Sequence, residues 1–143
     1  MKILLLLLLL TTPLFAQWDN AEFGTLSEIK GQKKVFVAVS DLSAREVIVK
    51  ALEKAKFEVV SRESDSEFSL WLGVERVDTG SNALLRTAHN IVLIGEMRVY
   101  IPTKRRILWH TRKVQDWSGG LTFDKHPAKS TVNEFIKAYK KLK

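Results

Sequence analysis

Three histidines, His89, His110 and His126, are the residues best suited by type to acid–base or metal chemistry. A zinc or copper site needs two or more of them converging, with carboxylates or thiolates completing the set. No two stand at the short spacing by which one helix or turn delivers paired ligands. The chain has no cysteine, which excludes a thiol nucleophile, a Cys-type zinc or iron–sulfur site and a disulfide framework. There is no Gly-x-Ser-x-Gly elbow, and Gly119-Gly120 is a lone pair after a strand, a turn rather than a phosphate cradle. Glu75 and Glu96 could meet on neighbouring strands as paired carboxylates, but arginines adjoin both and would hold them ionised. The sequence therefore offers no catalytic residue, no metal ligand and no cofactor site. A small secreted hydrolase would require His110 or His126 to meet a carboxylate in a pocket.

Aromatic and arginine side chains are the better clue. Trp71, Tyr100, Trp109 and Trp117 interleave with Arg76, Arg98, Arg105, Arg106 and Arg112 on strand-like segments. On an open sheet face, such a mixture makes a stacking platform or a protein-binding hot spot. The purely structural reading is that the tryptophans cap core edges with arginines stacked over them. Trp71, Arg98, Trp109 and Arg112 are the candidate partner contacts. The net charge of +7 favours anionic polymers or lipid headgroups as alternative partners. Much of that excess is Lys137, Lys140, Lys141 and Lys143, where cations complement a helix C-terminus.

The elements that must position these groups follow from periodicity. Lys33 to Val39 is a β-rich run. Ala44, Val47, Ile48, Ala51, Leu52 and Ala55 then form one apolar helical stripe. Ser43 with Glu46 reads as its capping box. Phe57–Ser61 is a short strand, giving a β-α-β unit with parallel strands. Phe68–Glu75 alternates as a strand, and Ile91–Ile101 and Arg106–Val114 form a hairpin about Pro102–Arg105. The preferred register sets Ile107 opposite Ile101, Trp109 opposite Val99 and Arg112 opposite Glu96, pairing like with like and opposite charges. Pro127 opens a last helix with Val132, Phe135, Ile136, Tyr139 and Leu142 as its stripe, its N-terminus served by Asp124 or His126. The expectation is an α+β two-layer sandwich, β-α-β-β-β-β-α, with a mixed, mostly antiparallel five-stranded sheet and two helices on one face.

Residues 1–16 read as a secretory signal peptide: Lys2 as the charged start, Ile3–Leu10 as the apolar run, and Pro13 before a small residue, Ala16. The run is far shorter than the ~20 residues of a spanning helix, so no transmembrane segment is expected after cleavage. Residues 17–32 read as a polar lead-in and 33–143 as one domain. An exported protein, periplasmic or secreted, makes nucleic acid a poor partner. Without a cysteine after the signal there is nothing to acylate.

Val35-Phe36-Val37-Ala38-Val39, the helix at 43–56, Phe57-Glu58-Val59-Val60, the acidic turn entering Phe68-Ser69-Leu70-Trp71-Leu72 and the helix at 127–142 together carry a resemblance of layout. In that layout the chain resembles small bacterial envelope assembly domains, namely the lipopolysaccharide-assembly lipoprotein and the periplasmic domain of the curli-secretion lipoprotein. It departs from them in lacking their acylated cysteine. The resemblance carries over no functional residue and implies a non-catalytic binding or assembly role in the envelope. An envelope protein, reached through the sheet face or the 78–90 connection, is then the expected partner.

Overall fold

The computed structural model describes residues 20–78, 91–116 and 126–142. The chain runs through β1 (Glu22–Phe23), a 3-10 turn (Leu26–Ile29), β2 (Lys34–Ala38), α1 (Leu42–Lys54) and β3 (Glu58–Val60). A second 3-10 turn (Glu63–Asp65), β4 (Phe68–Asp78), β5 (Ile91–Ile101), β6 (Arg106–Asp116) and α2 (Pro127–Lys140) follow. The strands form one sheet in the order β1-β6-β5-β4-β2-β3. Its long ladders, β4–β5 and β5–β6, are antiparallel, and the short ones, β2–β3, β2–β4 and β1–β6, are parallel. This is the expected α+β sandwich, with six strands in place of five.

The sixth strand comes from the segment read as a polar lead-in. Glu22 and Phe23 pair with Arg106 and Ile107, and the turn after them buries Leu26 and Ile29 in the core. Two paired residues and one 3-10 turn have no period to detect, which is why the segment looked idle.

Both helices cover the same sheet face. Ala44, Ile48 and Leu52 of α1 and Val132, Phe135 and Tyr139 of α2 meet Val35, Val37, Phe68, Leu70, Leu72, Met97 and Val99 in one cluster. Burying a side chain such as Phe135 contributes roughly 1.5–3 kcal/mol, against ~0–1 for a solvent-reached, half-buried ion pair such as Lys113–Glu134. Packing therefore places α2, and the ion pair trims it. Gly95 of β5 makes the close approach possible, since a Cβ there would collide with Pro127 at the first turn of α2.

The N-terminus of α1 differs from expectation. Leu42 is already helical, so Ser43 lies inside the first turn, and Asp41 caps it by accepting from the N–H of Ser43 at 2.9 Å and of Ala44 at 3.3 Å. Glu46 turns outward to Lys50 at 2.8 Å. On α2, His126 is the cap: its Nδ1 accepts from the N–H of Ala128 at 3.1 Å.

The hairpin register holds at Trp109–Val99 and Arg112–Glu96, then shifts. Tyr100 pairs with Ile107 and Ile101 with Arg106, leaving Leu108 as an extra residue on β6. The 3-10 turn Pro102–Lys104 closes through Arg105 in left-handed conformation, φ 47°. That tight closure takes one residue fewer than an even ladder requires, and a bulge absorbs the difference.

Candidate functional site on the helix-free sheet face

Strand alternation sends Ser69, Trp71, Gly73 and Glu75 of β4 away from the helices. Glu96, Arg98 and Tyr100 of β5 and His110, Arg112 and Val114 of β6 share that side by register. Among the described residues no helix covers it.

At its centre lies a plate. The indole of Trp71 lies over Gly73, close enough that a Cβ on Gly73 would collide with the ring. Arg98 is the cross-strand partner of Trp71, and its guanidinium carbon stands 5.3 Å from the indole centroid. The Arg98 Nε also donates to Glu96 Oε1 at 2.7 Å. A planar cation is thus laid on an aromatic face and fixed in orientation by a carboxylate, a contact worth ~0.5–2 kcal/mol. Arg112, opposite Glu96, and His110, opposite Arg98, are both exposed beside it. The arrangement can stack planar groups and accept acidic ones.

Beyond the plate the face is closed by a clasp. Tyr100 O–H donates to Glu63 Oε1 at 2.6 Å, and Ser69 O–H reaches the same oxygen at 3.1 Å. Burial, with the Glu63 carboxylate beside it, pushes the Tyr100 phenol well above its ordinary value, so it stays a donor. The clasp ties the 63–65 turn to the sheet.

Of the four candidate contacts, the fold brings together Trp71, Arg98 and Arg112. Trp109 stands on the other side: opposite Val99, it packs edge-on against Phe135 with centroids 5.9 Å apart, at the edge of the core. Gly73 and Glu63 were not singled out by sequence, and Glu96 was read as the partner of Arg112 and not of Arg98. Gly73 becomes visible only when the fold lays the Trp71 indole over it. His126 is buried as a helix cap, and among the described residues no group of three His, Asp or Glu could hold a metal. His89, Trp117 and the 79–90 part of the expected contact loop lie outside the described residues.

No protein-family model matches this chain, and no curated protein matches it. The chain is similar in fold to PelC. A PelC variant from Paraburkholderia phytofirmans, a dodecamer, superposes with TM-score 0.50 at 14% identity, covering 77% of this chain and 89% of that one. A minor lipoprotein from Acinetobacter baumannii gives 0.41 at 8% identity over 77% and 89%. Lipoprotein B from Nitrosomonas europaea gives 0.44 at 13% over 78% and 77%. At its identity the PelC likeness is one of architecture and assigns no residue of the plate; the two lipoproteins, below a score of 0.5, add nothing to it.

Proposed function

We propose that this protein is an exported, non-catalytic binding module of the cell envelope that captures a protein partner on its helix-free sheet face. The observation that carries the reading is the Trp71–Arg98 plate, preorganised by Gly73 beneath and Glu96 beside it. Rigid aromatic and arginine anchors at the centre of a patch are what concentrate binding energy at protein interfaces. Arg112 extends the patch toward acidic partner groups. Export is supported by the signal-like Met1–Ala16. The envelope role is supported by the signal-like start and by the layout resemblance to the assembly lipoproteins. Among the described residues no helix is long and apolar enough to cross a membrane.

The test is crosslinking in cells that express the full-length chain with a C-terminal tag, then identification of what is recovered with it from the envelope fraction. One protein at near-equal yield is expected. In the Trp71→Ala, Arg98→Ala and Arg112→Ala variants its recovery should fall at least tenfold while the circular dichroism stays unchanged. Undiminished recovery in all three would remove the sheet face from the interaction.

A further inference from the structure

The two helices run side by side in the same direction. Their N-caps, Asp41 and His126, are near enough for the one charge to act on the other, and their C-terminal ends border a common cavity. The 30–33 turn, the end of α1 and the end of α2 line an open cleft of about 420 Å³ there. Ligand clefts span roughly 300–1,000 Å³, so the space suits a small molecule or one chain of a larger one.

The walls and the rim differ in chemistry. Phe57, Ala55, Leu142 and the ring of Tyr139 supply the walls. The one hydroxyl among them is committed, since Tyr139 O–H donates to the Gln32 carbonyl at 2.6 Å. Lys30, Lys33 and Lys140, all exposed, supply the rim. The Lys33 ammonium stands 4.5 Å from the Phe57 centroid and 4.8 Å from that of Tyr139, held above the aromatic wall.

Among the described residues, none of these three lysines makes an ion pair, although Lys50, Arg62, Arg98, Arg106 and Lys113 all do. Glu67, the acid whose charge reaches Tyr139, is taken up by the backbone N–H groups of Lys33 at 2.7 Å and Lys34 at 2.9 Å. Three unmatched cations thus ring an apolar cleft.

That pairing selects among anionic ligands. A polysaccharide or nucleic acid would engage the rim and leave the apolar walls wet. A peptide would bring backbone amides to walls whose single hydroxyl is occupied, and unpaired polar groups are costly there. A hydrocarbon chain needs no hydrogen bond and fills the walls, while its charged end meets the lysines.

We propose that this cavity binds a single-chain anionic amphiphile, its tail against Phe57, Tyr139 and Leu142 and its carboxylate or phosphate among Lys30, Lys33 and Lys140. The site is separate from the sheet face and stands or falls independently of the partner reading.

The test is a titration of the purified chain with dodecanoate and dodecyl phosphate below their micelle concentrations, followed by backbone amide NMR. Saturable shifts confined to 30–33, 55–57 and 139–142 are expected, and whichever head binds more tightly names the natural chemistry. Dodecanol, lacking the charge, should bind at least tenfold more weakly. The K30Q/K33Q/K140Q variant should lose at least tenfold, whereas K50Q/K104Q/K129Q, with the same change of charge, should lose nothing. Should the triple variant not fold, K30Q alone, an exposed position, should still weaken binding severalfold. Equal affinity for dodecanol, equal loss in the control variant, tighter binding of heparin or of an acidic peptide at these amides, or no shifts at all would each overturn the proposal. Partner capture through Trp71 would be untouched by any of these results.

Discussion

His126 closes the first turn of α2 with a ring nitrogen, and that choice makes one helix end sensitive to pH. As the acceptor for Ala128 N–H, Nδ1 must be unprotonated, so only the neutral imidazole can cap. Burial lowers the pKa of His126 from its ordinary value, partly opposed by the charge of Asp41. The fold thus prefers the neutral ring. Its contribution is complete above the unfolded value of about 6.5 and is lost as pH falls through the lower folded value. The unfolding free energy from urea titration should therefore decline as pH falls below about 6.5, by about 1 kcal/mol for loss of a cap. Glu67 and Glu134, whose carboxyls are held below the usual range by backbone N–H groups and by Lys113 respectively, act only at lower pH. His126→Asn keeps an accepting side chain and removes the titration, so its unfolding free energy should be flat over the same fall in pH. An equally sloped profile in that variant would place the sensitivity elsewhere.

At the scale of elements, α1 separates what a sequence pattern encodes from what geometry decides. Its apolar stripe is legible because buried positions recur with the helical period, and Ala44, Ile48 and Leu52 are indeed the buried ones. Its cap is not, because Asp41 and Ser43 are both good cap residues and the choice turns on where the strand before them releases the chain. The structure gives the role to Asp41, so Asp41→Ala should cost about 1 kcal/mol in a denaturant titration, and Ser43→Ala only a few tenths. The reverse order would return the cap to Ser43. The sheet face teaches the same lesson through parity. Trp109 and Arg112 are three apart on one strand and cannot share a side, a conclusion available from alternation alone once β6 is read as continuous. The pairing of Trp71 with Arg98 was less accessible, since it depends on the β4–β5 ladder, and the sequence between those strands is too long for a turn type to fix their register. Gly73 likewise reads as mere strand weakness until the indole above it is seen.

For the molecule as a whole, the least legible part is also the one with the largest structural consequence. Polarity hides the 3-10 turn after β1, yet Ile29 is fully buried and Leu26 nearly so, in the same cluster as Phe68 and Phe135. Thr25 N–H donates to Glu28 Oε1 at 3.1 Å, and the same oxygen meets Arg106 Nε at 3.1 Å, so the turn is tied to β6 as well as packed. Truncating one such core residue to alanine costs about 2–5 kcal/mol, and a domain of this size holds roughly 5–15 in all. Leu26 and Ile29 are neighbours in one turn, so their losses overlap and do not simply add. Leu26→Ala with Ile29→Ala should still lower the unfolding free energy by at least about 3 kcal/mol, read from urea titration of the purified chain. A chain begun at Lys33 should do worse, because it also leaves the outer edge of β6 unpaired. A loss under about 1 kcal/mol in the double variant would make 20–32 an appendage, as its polarity suggests. The core would then be closed by the five strands and two helices alone.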